Sequence, residues 1–137
     1  MEKSKTALFI GHRECVGLDI GRVRGEVERL INCGVENFLN GGQGEFDRIC
    51  ARCVFDLKKD YPLIKNILVI PYLTFKSPQT ELFDEIIYPE GLEKYHFKAA
   101  IGKRNEYMVE NSSHAVCFVK YSYGGAAKTL QFAQKMN

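Results

Sequence analysis

Two stretches of this chain place paired glycines where an apolar run gives way to a helical pattern. Asn40-Gly41-Gly42-Gln43-Gly44-Glu45-Phe46-Asp47 follows Val35 to Leu39, and Ser122-Tyr123-Gly124-Gly125 follows Ala115 to Val119. Glycine adds no side chain, and the first N–H groups of a helix lack partners, so such junctions let a phosphate approach the backbone. A lone pair of this kind is usually a turn. Two at one edge of a sheet point to an anion-binding pocket. Cations fit beside them: His12 and Arg13 follow the first apolar run, directly after Gly11, and can meet phosphate through charge-assisted hydrogen bonds. Arg104, whose planar guanidinium suits phosphate oxygens, reads by itself equally as an exposed helix residue, and Lys128 is a further cation. Asp47 has two readings, a complement to a helix N-terminus or a hydrogen-bond acceptor for ribose hydroxyls.

Other chemistries lose ground on spacing. A dinucleotide fingerprint G-x-G-x-x-G belongs after the first strand, where this chain has Gly11-His12-Arg13-Glu14-Cys15-Val16-Gly17. A G-x-x-x-x-G-K-[ST] phosphate loop is absent from the sequence. Cys50-Ala51-Arg52-Cys53 is a C-x-x-C, but both thiols fall on an apolar helix face and no second cysteine pair completes a metal site. They are expected to be buried, unmetallated core thiols. Cys117 falls in an expected core strand and Cys33 at a helix end, while Cys15 near His12 lacks a third group to orient a nucleophile. His96 and His114 read as structural or exposed. Tyr72, Phe75 and Tyr123 sit at strand ends, where they serve as core edges or stack on a base.

The elements that must position these residues alternate along the chain. Ala7 to Ile10, Val35 to Leu39, Ile67 to Ile70, Glu85 to Tyr88 and Ala115 to Val119 read as strands. Ile20, Val23, Val27, Leu30 and Ile31 share one helical face, with Asp19 as N-cap and Gly34 as the stop. A second helix carries Phe46, Ile49, Cys50, Cys53, Val54 and Leu57, and others cover Phe97 to Asn111, despite Gly102, and Ala126 to Met136. This order predicts a Rossmann-like α/β sandwich of three layers, with about five mainly parallel strands and helices on both faces. Ligands in such sheets gather beyond the C-terminal strand ends, where the glycine pairs lie. With 137 residues, 45% of them hydrophobic, and no internal linker or repeat, one domain over residues 1–137 is expected. Charge sums to +2, which gives no strong field for nucleic acid or anionic membrane. The apolar runs are too short for a membrane span or a signal-peptide core, and five cysteines suggest free thiols in a cytoplasmic protein.

The motifs taken together resemble the SLOG superfamily, which joins the Smf/DprA proteins and the LOG phosphoribohydrolases, and within it the stand-alone YpsA-like family. The carriers are Thr6-Ala7-Leu8-Phe9-Ile10-Gly11-His12-Arg13, the Asn40 to Asp47 stretch, Ile67-Leu68-Val69-Ile70-Pro71, Arg104-Asn105-Glu106-Tyr107-Met108-Val109-Glu110, and Gly124-Gly125 before the last helix. The resemblance implies a pocket for a nucleotide or nucleotide-derived ligand related to ADP-ribose, and a homodimer. LOG enzymes pair an arginine, matched by Arg104, with P-G-G-x-G-T-x-x-E, whose glutamate assists N-glycosidic cleavage. In this chain Tyr123 stands for the proline, Ala127 for the third glycine, Lys128 for the threonine and Gln131 for the glutamate. An amide cannot replace a carboxylate as acid or base, which puts hydrolysis by the LOG route in doubt.

The expected function is binding of a nucleotide-like small molecule, with Gly11, His12, Arg13, Gly41, Gly42, Gly44, Asp47, Arg104, Gly124 and Gly125 as the ligand-binding set. No metal and no certain cofactor enter this reading. Nucleotide N-glycosidase activity, with Asp47 or Glu106 substituting for the missing glutamate, is the first alternative. DprA-like binding of single-stranded DNA is the second, set lower by the small net charge.

Overall fold

A computed structural model of the protein describes residues 1–77 and 79–136. Its strands are β1 (Thr6–Gly11), β2 (Asn37–Asn40), β3 (Lys65–Val69), β4 (Glu85–Ile87) and β5 (His114–Phe118). They alternate with α1 (Ile20–Asn32), α2 (Glu45–Leu57), α3 (Phe97–Glu110) and α4 (Gly125–Lys135). The expected α/β architecture is observed: the strands form one sheet in the order β4-β3-β2-β1-β5, and every neighbouring pair is parallel.

Helix boundaries follow local chemistry. Asp19 caps α1, its Oδ1 accepting the Arg22 N–H at 3.3 Å. Past the other end, the Val35 N–H reaches the Leu30 carbonyl and the Gly34 N–H that of Ile31, both at 3.0 Å, a Schellman closure. This closure keeps Val35 outside the ladder, so β2 starts at Asn37, two residues later than the sequence pattern suggested. Gly102 does not interrupt α3.

Two apolar layers flank the sheet. On one face Val23, Val27 and Leu30 of α1 and Phe46, Cys50, Cys53, Val54 and Leu57 of α2 pack on Phe9, Phe38 and Val116. On the other, Met108 and Val109 of α3, with half-buried Leu130 and Phe132 of α4, cover Leu8, Ile10, Leu39, Ile67 and Val69. Cys50 and Cys53 are therefore core residues. Cys117 corrects its expectation: β5 is an edge strand paired only with β1, and its thiol is exposed. Among the described residues no helix is long and apolar enough to cross a membrane.

The strand order fixes where a site forms. The chain steps outward from β1 through β2 and β3 to β4, then returns through α3 to place β5 on the opposite flank of β1. The reversal opens a crevice beyond the C-terminal ends of β1 and β5, between the loops that follow them.

Candidate functional site

A cleft of about 400 Å³ occupies that crevice. Gly11, His12 and Arg13 line it from the loop after β1, Gly41, Gln43 and Asp47 from β2–α2, Arg104 and Asn105 from α3, and Gly124 and Gly125 from α4. Eight of the ten expected residues are thus brought together. Gly42 and Gly44 are not among the lining residues.

The two glycine junctions share a backbone but differ in what closes them. Gly44 precedes α2 with φ 97° and ψ 176°, and Gly124 precedes α4 with φ 92° and ψ 178°. This region is essentially reserved for glycine. At α2 the opening is filled by protein. The Glu45 N–H donates to the Arg13 carbonyl at 2.9 Å and the Phe46 N–H to that of His12 at 3.4 Å. The Gln43 N–H donates to Asp47 Oδ2 at 2.9 Å, and the Gly42 N–H to Asn40 Oδ1 at 2.7 Å. The glycines here make room for neighbours: a Cβ on Gly44 would stand 2.7 Å from the Arg13 backbone, and one on Gly41 3.1 Å from the Arg104 guanidinium. A Cβ on Gly42 would collide with Leu68 and Ser77, and one on Gly11 with the Phe46 ring.

The α4 start is open. A Cβ on Gly124 or Gly125 would meet nothing within 4 Å. No side chain caps this end, and among the described residues the amides of Gly125, Ala126 and Ala127 have no hydrogen-bond partner. The first bond of the helix runs from the Lys128 N–H to the Gly124 carbonyl at 3.1 Å. Gly125 and Ala126 line the cleft, so two of these free donors and the positive end of a helix dipole border it.

Arg104 is 2% exposed and largely occupied. Its Nη1 donates to the carbonyls of Gly41 at 2.7 Å and Val69 at 2.9 Å, its Nη2 to Gln43 Oε1 and its Nε to Asn105 Oδ1, both at 2.9 Å. A guanidinium has five N–H donors, so one remains. Burial lowers its pKa to about 10, against the opposing pull of Asp47 and Tyr72. Arg13, by contrast, is exposed at the cleft wall and has no acidic partner among the described residues.

Asp47 is the one carboxylate among the lining residues. Burial pushes its carboxyl up to about 6, although the Gln43 N–H and the Arg104 charge pull the other way. Glu106 and Gln131 lie outside the cleft, on a groove between α3 and α4. Cys15 directs its Sγ to the His12 carbonyl at 3.5 Å rather than to the imidazole, and burial raises its thiol pKa. Among the described residues no cluster of three or more His, Cys, Asp and Glu side chains could hold a metal ion.

His12 ties the cleft's two lips together. Its Nε2 accepts the Lys120 N–H at 2.8 Å and the Tyr121 N–H at 3.4 Å. The Tyr121 ring lies 4.9 Å from the imidazole and stacks on Tyr123 at 5.4 Å with an interplanar angle of 23°. Both tyrosines line the cleft and remain open to solvent, Tyr121 by 50% and Tyr123 by 70%. Tyr121 was missed in the sequence because nothing local sets it apart in the loop after β5; its pairing with His12 and its stack on Tyr123 mark it. Tyr72 and Phe75 instead pack on each other, with Tyr72 also against Phe97 and the Arg104 guanidinium over the Phe75 ring.

Fold and cleft define a Rossmann-like α/β protein with a cleft at the switch point of its sheet, and sequence comparison narrows the class. The YpsA family model, described as the YspA SLOG family, matches residues 21–137, and the chain belongs to that family. It is 32% identical to the uncharacterized SPbeta prophage-derived protein YoqJ of Bacillus subtilis (strain 168), an alignment covering 72% of this chain and 69% of YoqJ. It is 29% identical to a UPF0398 protein of Oenococcus oeni (strain ATCC BAA-331 / PSU-1), covering 58% of this chain but only 46% of that one. In structure it is similar to DNA processing protein A of Helicobacter pylori, described for its single-stranded DNA binding mode. That match has a TM-score of 0.67 at 17% identity over 97% of this chain and 62% of the other. TM1055, a structural genomics target, matches with a TM-score of 0.61 at 14% identity over 96% of this chain and 69% of the other. The last two likenesses establish the fold.

Proposed function

We propose that the cleft binds a nucleotide-derived small molecule related to ADP-ribose, with a phosphate at the start of α4 and the base on the Tyr121–Tyr123 stack. The contrast between the two helix starts carries this reading: one backbone geometry occurs twice, closed by protein carbonyls before α2 and left open before α4. Arg13 and the remaining Arg104 donor supply charge, and Asp47 supplies an acceptor for a ribose hydroxyl. Each charge-assisted hydrogen bond contributes roughly 1.5–3 kcal/mol. Gly11, Gly41, Gly42 and Gly44 serve the ligand indirectly, by letting the walls pack. Native mass spectrometry of the freshly purified protein, and of protein mixed with ADP-ribose and AMP, tests the proposal. A nucleotide-mass adduct is expected; a bare chain in every case contradicts it.

A second reading is N-glycosidic hydrolysis, favoured by the Asp47 carboxyl at about 6, a value suited to proton transfer near neutral pH. Release of free base from purine nucleotides, abolished by Asp47→Asn, would establish it. Single-stranded DNA, the ligand named for the Helicobacter neighbour, is a third occupant. It would announce itself as a gel shift whose strength falls with salt.

A further inference from the structure

We infer that the ligand carries a second phosphate, separated from the first, which lies in the groove between α3 and α4. This deepens the nucleotide reading of the cleft and rests on it.

The groove, of about 460 Å³, adjoins the cleft: Ile101, Asn105, Gly125 and Thr129 line both. Each helix gives it one stripe. Lys98, Ile101, Gly102 and Asn105 follow the i, i+3, i+4, i+7 spacing on α3, and Lys128, Gln131, Phe132 and Lys135 repeat it on α4. Three ammonium groups therefore border one trough in a protein whose net charge is only +2. Lys98, Lys128 and Lys135 have no acidic partner among the described residues, and the one lining carboxylate, Glu106, lies 3.6 Å from Lys103 Nζ. Gln131 presents a neutral amide to the trough. Like-charged side chains held along one trough repel one another, which an entering dianion would relieve.

Gly102 is the independent observation. Glycine in mid-helix is less favourable than alanine. Its φ is not positive, it is exposed, and a Cβ there would meet nothing within 4 Å, so no contact of the protein requires it. What it does is leave its own place on the α3 stripe, beside Ile101, without a side chain. A ligand reaching from the α4 start into this trough carries a phosphate at its far end in addition to the diphosphate at its middle, as in an ADP-ribose esterified by phosphate on its terminal ribose. ADP-ribose itself would leave the trough empty.

Calorimetric titration compares ADP-ribose with its terminal-ribose phosphate ester on wild type, Gly102→Glu, and Lys98→Gln/Lys135→Gln. Gly102→Glu raises helix propensity while setting a carboxylate among the lysines, so its melting temperature should hold or rise. The ester should bind wild type about tenfold or more tighter than ADP-ribose, as one charge-assisted contact implies. Both variants should lose that gain while binding ADP-ribose as before. Equal affinities on wild type, or a gain that survives in the variants, would overturn the second phosphate and leave the cleft reading standing. Binding of neither compound to wild type would overturn both.

Discussion

Arg104 Nη1 donates to the Gly41 carbonyl at 2.7 Å, across 63 residues of chain, and so fastens α3 to the loop that follows β2. The same nitrogen holds the Val69 carbonyl at the end of β3. A residue that sequence reasoning assigned to a phosphate is mainly a clamp on the wall of the cleft, with one donor left to offer.

Removing the clamp should therefore cost stability first. Arg104→Ala strands the buried carbonyls of Gly41 and Val69 away from water, and urea unfolding should show a loss of about 3–5 kcal/mol. Arg104→Lys keeps the charge but not the planar fork, and should recover less than half. A stable Arg104→Ala protein that no longer binds nucleotide would make Arg104 a ligand residue instead.

Asp47 gives the stability a pH dependence of known sign. Its carboxyl rises from an ordinary 3.8 to about 6 on folding, so between those values the folded chain holds a proton that the unfolded chain has lost. Stability from this group is full below about pH 4, falls as pH rises to about 6, and is flat above; the difference is about 3 kcal/mol. Asp47→Asn should remove this slope and be the more stable protein at pH 7.5, by about 1–3 kcal/mol. Thermal melts of both proteins from pH 4 to 8 check it. Parallel curves would mean that Asp47 titrates near its ordinary value.

The paired helix starts separate conformational strain from crowding. Gly124→Ala and Gly44→Ala force alanine into the same backbone region, at about 1–3 kcal/mol each. Only Gly44→Ala also drives a Cβ against Arg13, so its loss in urea unfolding should be the larger by about 1–3 kcal/mol. Equal losses would contradict the packing of the first loop on α2.

The elements were legible because apolar periodicity and end signals agree: Asp19 and Gly34 delimit α1 in the sequence and in the structure. Parallel pairing followed from the alternation, and with it the edge where the cleft lies. The division of labour among glycines was not legible. Gly44 and Gly124 carry the same signal, and what separates them is whether His12 and Arg13, distant in sequence, lend their carbonyls. Arg104 misled for the same reason, since burial and partners at Gly41 and Val69 are tertiary facts. Cys117 read as core because an apolar strand does not announce that it is the last in its sheet.

His12 should control the mobility of the loop that bears the tyrosines. His12→Ala deprives the Lys120 and Tyr121 amides of their acceptor, and hydrogen exchange at those two positions should quicken while exchange in β1 and β3 does not. Unchanged protection at Lys120 would show that the loop is held by something else.

The central claim is that the open start of α4 receives the phosphate. Calorimetric titration of ADP-ribose against wild type and Gly125→Val measures it directly. A Cβ at this position meets no protein atom within 4 Å, so the variant should fold with a melting temperature close to wild type. Wild type should bind one ADP-ribose per chain, and the folded variant should bind it about tenfold more weakly or worse, as loss of one charge-assisted hydrogen bond requires. Equal affinity in the two proteins, or no binding by wild type, would contradict the account.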